Sequence, residues 1–119
     1  MGLLTLKFTT DVRDNDYEVV EFYGELDQST IGNAEKMVFE LLEKYDRKFL
    51  IFDFTNLTFT NSEGIGFIVD VNTKLVDKKK QLILCGLRPN VAEVLEAMGV
   101  PKLFHVFSKI NEAISFTKQ

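Results

Sequence analysis

Apolar and polar positions along this chain follow two rhythms, and each change of rhythm marks a new element. Leu4, Leu6 and Phe8 alternate with Thr5, Lys7 and Thr9, the two-residue period of a half-buried strand. Residues 11–16 are polar and rich in Asp and Asn, as turns are. A second strand is expected from residue 17 to about 24, with Val20 and Phe22 on one face and Val19 and Tyr23 on the other. Two strands joined by a short polar turn predict a hairpin. From Thr30 the period lengthens, and Ile31, Ala34, Met37, Val38, Leu41, Leu42 and Tyr45 form one stripe of an amphipathic helix. Ser29 or Thr30 is its candidate cap. Phe39 falls off the stripe and is expected to be partly exposed.

Residues 49–54, Phe-Leu-Ile-Phe-Asp-Phe, are a near-continuous apolar run too short for a helix, which predicts a strand buried on both faces. Helical spacing resumes at Ile65, Ile68, Val69, Leu75 and Val76, with Asn72 as a polar interruption. Residues 81–86 predict another buried strand. Pro89, then Val91, Val94, Leu95 and Met98 on one face, and Gly99 just beyond describe a short helix. Residues 103–107 are expected to be a last strand, with Ser108 capping a final helix that carries Ile110, Ala113 and Ile114. The order β-β-α-β-α-β-α-β-α calls for an α/β fold, a mixed and mostly parallel sheet with four helices packed on it. A length of 119 residues suits one domain spanning 1–119.

Composition narrows the function classes. Hydrophobic content of 45% and charged content of 27% are ordinary for a globular chain. A net charge of −4 argues against nucleic acid or an anionic membrane as the main partner. The one basic run, Lys78-Lys79-Lys80, falls at a helix end, where cations suit the helix dipole. No apolar window is long enough for a membrane span, and the N-terminus lacks the pattern of a secretion signal. The single Cys85 forms no internal disulfide, which fits a cytoplasmic location.

Catalytic chemistry finds few parts. The single His105 lies in an apolar run and shares no motif with a nucleophile, so a structural or surface role is expected. Cys85, between Leu84 and Gly86, is expected to be packed rather than nucleophilic. Asp11, Asp14 and Asp16 lack the glycine and terminal Glu of a calcium loop and read as a solvated turn. Asp53 lacks the acidic pair and the late lysine that a magnesium-dependent phosphoaspartate site needs. No phosphate-binding loop, dinucleotide fingerprint or metal-ligand spacing is present. The expectation is a non-enzyme without metal or cofactor.

The segment 60–66, Thr-Asn-Ser-Glu-Gly-Ile-Gly, stands apart. It places a hydroxyl, Ser62, where a buried strand gives way to a helix, and a helix N-terminus is a favourable place for phosphate. Thr60 to Glu63 fits a capping box, with Thr60 as N-cap. Gly64 and Gly66 each cost up to about 1 kcal/mol in a helix, which is reasonable where another backbone or a partner approaches closely. Phe67 and Val71 lie off the main stripe and predict an apolar edge beside the glycines.

Two segments together resemble the STAS domain family of bacterial anti-sigma factor antagonists. Gly24-Glu25-Leu26-Asp27, with Thr30 and Ala34, is similar to the family's G-E-L-D segment. Residues 52–66, Phe-Asp-Phe-Thr-Asn-Leu-Thr-Phe-Thr-Asn-Ser-Glu-Gly-Ile-Gly, resemble its central strand and D-S-[ST]-G-[LIV]-G turn. The element order matches over essentially the whole chain. The resemblance implies a protein-binding switch. Ser62 would be the phosphoacceptor, the kinase would be the partner anti-sigma factor, and a phosphatase would reset the cycle. Asp27, Asn61, Glu63, Gly64, Gly66 and Phe67 would shape or contact the partner site. Asn61 replaces the family's Asp, and Glu63 replaces its usual Ser or Thr. Those departures bear on a second expectation, a constitutive STAS-type subunit of a transporter or signalling scaffold without phosphorylation.

Overall fold

The long strand β3 (Phe49–Thr60) is the spine of the molecule, because Phe49 to Phe54 are buried from both sides. The computed structural model describes residues 2–9 and 16–119. Beside β3 lie β2 (Tyr17–Leu26) and β4 (Gln81–Cys85), both parallel to it. Outside them are β1 (Leu4–Phe8), antiparallel to β2, and β5 (His105–Phe107), parallel to β4. The spatial order β1-β2-β3-β4-β5 follows the chain. Each parallel step therefore needs a helical crossover. Four helices are seen among the described residues: α1 (Ile31–Glu43), α2 (Ser62–Asp77), α3 (Pro89–Ala97) and α4 (Ile110–Thr117).

Alternation along the strands divides the core in two. Val20, Phe22, Leu50, Phe52, Phe54 and Leu84 face α1, α2 and α3. Tyr17, Val19, Phe49, Ile51, Ile83 and Cys85 face the other way, toward Ala113 of α4. The first layer is centred on aromatic rings. Phe22 meets Phe52 and Phe54 edge-on at 4.8 Å, and Phe67 stacks on Phe52 at 6.3 Å. These are the offset and T-shaped arrangements that ring quadrupoles favour.

The mixed α/β architecture matches the order predicted from the pattern, and several details differ. Beyond Phe54, β3 continues for six residues that the pattern did not assign to a strand. Register shifts against β2, between Glu21 and Tyr23 and between Gly24 and Glu25, break the alternation there. Met37 is 41% exposed, at the margin of the α1 stripe rather than within it. The last strand is shorter than expected, since residues 101–103 form a 3-10 turn with Leu103 exposed. Ser108 does not cap α4. Lys109 is its N-cap, and the Glu112 carboxylate accepts hydrogen bonds from the Ser108 and Lys109 amides. The hairpin turn with Asp11 and Asp14 lies largely outside the described residues.

Removal of Phe22, which touches two neighbouring rings and is wholly buried, should cost about 3–5 kcal/mol as Phe22→Ala. Met37→Ala should stay within about 1 kcal/mol. Urea unfolding midpoints of the two variants check the contrast.

Candidate functional site

Two loops meet at the C-terminal ends of β2 and β3. The first, between β2 and α1, is built by hydrogen bonds within itself. The Asp27 carboxylate accepts from the Ser29 amide at 2.8 Å and the Ser29 hydroxyl at 2.6 Å. The Thr30 hydroxyl donates to the Glu25 carbonyl at 2.8 Å and accepts from the Asp27 amide. Hydrogen bonds from the Ser29 hydroxyl and amide hold the Asp27 carboxyl below the usual carboxylate range. Asp27 is thus nearly buried and occupied in shaping its own loop. Thr30 is the N-cap of α1, but its side chain serves the loop rather than the helix amides.

The second loop is the turn from β3 into α2, and its cap differs from the expected one. Asn61, not Thr60, is the N-cap. Asn61 Oδ1 accepts from the amides of Glu63 at 3.1 Å and Gly64 at 3.2 Å. Thr60 is buried, and its hydroxyl donates to the Leu26 carbonyl at 2.8 Å. Asn61 Nδ2 donates to Gln28 Oε1 at 3.0 Å. An aspartate at this position could accept from the helix amides but could not donate to Gln28, and would meet it only as an acceptor with the Gln28 amide turned over. The two loops are thereby joined by Thr60 to Leu26 and by Asn61 to Gln28.

Ser62 follows as the first residue of α2, exposed, with Glu63 exposed beside it. Gly64 explains itself. A Cβ there would collide with the Thr60 hydroxyl and lie 2.7 Å from the Leu26 carbonyl oxygen. The end of β2 is the close neighbour expected of the paired glycines. Gly66 is different, with open space around it on the exposed face. Phe67 and Val71 do not form an exposed edge. Phe67 is 1% exposed and Val71 is fully buried, because α2 packs against α1 as well as the sheet. Phe67 is therefore a core residue beneath the site and offers no surface to a partner in this conformation.

Gln28 had no motif to mark it, and only the meeting of the loops shows its part. Among the described residues, nothing groups three or more potential metal ligands, and no helix is long and apolar enough to cross a membrane. Cys85 is fully buried, and burial with a further contribution from Asp53 pushes its thiol up to about 12. His105 is exposed and stacks on Phe116 at 4.4 Å. Asp53 lies within β3 where its pairing with β4 ends, and its carboxylate accepts from the Thr55 amide and hydroxyl. What the turn offers chemically is a hydroxyl at the positive end of a sixteen-residue helix.

A single α/β domain, a mixed five-stranded sheet in chain order with a hydrogen-bonded turn from β3 into α2, is the class that this geometry defines. The model of the STAS domain matches residues 7–113, and the chain belongs to that family. An anti-sigma-B factor antagonist of Staphylococcus aureus is 26% identical over 103 residues, spanning 87% of this chain and 94% of that protein. The fold also matches the anti-sigma factor antagonist SpoIIAA in its unphosphorylated form, with a TM-score of 0.80, 20% identity and 96% of each chain covered. For Bacillus SpoIIAA in its phosphorylated form the TM-score is 0.72 at 20% identity, over 94% of this chain and 98% of that one.

Two expectations follow from the packing. Gly64→Ala should destabilise the fold by about 1–3 kcal/mol through overpacking. Gly66→Ala should stabilise it by up to about 1 kcal/mol, since the helix gains propensity and meets no obstacle. Denaturant titration of both checks the pair. Cys85 should resist alkylation at pH 8 in the folded chain and react on the order of a thousandfold faster in urea, read by mass spectrometry.

Proposed function

We propose that this chain is an anti-sigma factor antagonist, a protein-binding switch set by phosphorylation of Ser62. The observation that carries the reading is the exposed Ser62 hydroxyl on a turn fixed to its neighbour loop by two side-chain bonds. The antagonist name of the Staphylococcus relative and the existence of SpoIIAA in two phosphorylation states support it. The partner is an anti-sigma factor that is itself a serine kinase. In the transfer, Ser62 Oγ bonds to the γ-phosphorus of ATP, ADP departs, and the hydroxyl proton passes to a base of the kinase. A phosphatase restores the hydroxyl by hydrolysis. The setting is the cytoplasm, where sigma factors act, and no cofactor resides in the chain.

The physics favours control of binding over control of folding. Phosphoserine adds about −1.5 to −2 charges, and an exposed helix N-terminus offsets this by about 0.3–1 kcal/mol. Repulsion from the Glu63 carboxylate is on the order of 1 kcal/mol, similar in size and opposite in sign. The fold therefore carries the phosphate at little net cost. A partner covering the turn would have to desolvate a dianion, which costs several kcal/mol unless cations meet it. Asn61, Glu63, Gly64 and Gly66 shape the surface that the partner reads, and Asp27 holds the adjoining loop. Glu63 also supports a second reading, a constitutive scaffold subunit, because it keeps a negative charge at the site in every state.

Incubation with ATP and the partner kinase, followed by mass spectrometry of the Ser62 peptide, checks the switch. The native chain should gain one phosphate, and Ser62→Ala none. Ser62→Asp should weaken the complex at least about tenfold, a change of roughly 1.4 kcal/mol. A stable complex indifferent to Ser62→Asp would instead establish the scaffold.

A further inference from the structure

The strand that carries the Ser62 turn is unfinished on one side. β2 pairs with β3 as far as Thr60, whereas β4 pairs only with Phe49 to Asp53. Residues 54–60, which lead directly into Ser62, therefore have a strand neighbour on one edge alone. On the open edge, two side chains from the start of α3 stand where a strand would be. Arg88 Nε donates to the Thr55 carbonyl at 3.1 Å, and Asn90 Nδ2 donates to the Thr58 carbonyl at 2.8 Å.

The approach of α3 to this edge is built into the backbone. Gly86, with φ of +72°, turns the chain out of β4, and a Cβ there would come within 3.0 Å of the Thr55 amide and the Asp53 carboxylate. On the paired edge, the Thr58 hydroxyl donates to the Gly24 carbonyl at 3.1 Å. The ribbon is thus held from both sides, by a strand on one and by two side chains on the other. Arg88, Asn90, Thr55 and Thr58 are all exposed, so water would satisfy both carbonyls without them. Desolvation does not require the two bonds, and their effect is to limit where the ribbon can move.

We propose that Arg88 and Asn90 are positioning residues for the Ser62 turn, acting as a side-chain substitute for the missing length of β4. The role in the switch rests on the reading of Ser62 as phosphoacceptor. By tying residues 54–60 to α3, they keep the turn in the one arrangement that the kinase engages. Exposed bonds of this kind add little to global stability but suppress local opening. A turn that spends less time in its closed arrangement binds more weakly in proportion to the lost fraction.

Asn90→Asp and Arg88→Ala test the idea. Asn90→Asp keeps the shape and removes the donor, while its carboxylate suits the first turn of α3, so that helix is not weakened. Arg88→Lys keeps a cationic donor for Thr55 and serves as the rescue. Amide hydrogen exchange of residues 56–63 should quicken about three- to tenfold in the first two variants, with exchange in β4 unchanged and with recovery in Arg88→Lys. The KM for phosphorylation of the chain at Ser62 should rise by a similar factor, with kcat unchanged. Unaltered exchange across the turn overturns the proposal, as does faster exchange with an unaltered KM. If the unsubstituted chain takes no phosphate at Ser62, the phosphoacceptor reading fails and the switch role with it. The exchange measurement needs no kinase, and so separates that failure from failure of the clamp.

Discussion

The close approach of β2 and α2 at Gly64 is the constraint on which the rest of the site depends. The Leu26 carbonyl can accept the Thr60 hydroxyl only because no side chain stands between the end of β2 and the first turn of α2. That bond fixes where β3 stops. Once Thr60 is committed to Leu26, Asn61 is the next residue able to cap the helix, and Ser62 becomes its first turn. The exposure of Ser62 thus follows from a backbone contact two residues beyond it. A single added methyl group at Gly64 would press on strand, cap and helix at once.

Much of this was legible in the pattern, and the limits are instructive. The first half of β3 could be read because burial on both faces leaves an unbroken apolar run. Its second half could not, because two register shifts spoil the alternation that identifies a strand. Thr60 and Asn61 are both good capping residues, and local preference does not rank them. The choice was made by a carbonyl thirty-four residues earlier in the chain. Phe67 fell outside the helical stripe for a related reason. A single stripe describes a helix with one buried side, whereas α2 is covered by the sheet and also by Phe39 of α1, whose ring lies 6.1 Å from that of Phe67. Gln28 and the α3 side chains left no trace in the periodicity, since their partners are backbone or amide groups of distant segments.

The replacement of an acid by Asn61 and of a hydroxyl residue by Glu63 can be considered as one change. An acidic cap would place its charge over the first-turn amides, whereas Asn61 caps without charge and frees its nitrogen for Gln28. Glu63 restores a negative group in the first turn, where the helix dipole favours it. The helix keeps its electrostatic support, but the charge moves from the cap to the exposed surface next to Ser62. Solvent there screens it well. The side-chain bond between the loops has Asn61 as its donor, and the negative charge lies two residues beyond the cap.

This arrangement suits the proposed switch, whose two states would share one fold. Burial of Phe22, Phe52, Phe54 and Phe67 makes the layer beneath the turn stiff, since a close-packed core resists displacement of even a methylene group. A phosphate on Ser62 would act above that layer, on an exposed surface where the dipole gain and the Glu63 repulsion are both near 1 kcal/mol. Neither is large enough to repack four aromatic rings. A partner surface laid on the same turn would, by contrast, have to exclude water from it, and the desolvation of a dianion is several times larger. The same chemical step would therefore be small for the fold and large for the complex. The bonds from Thr60 to Leu26 and from Asn61 to Gln28 would preserve that difference, because a turn free of them could swing a phosphate into solvent and relieve the penalty.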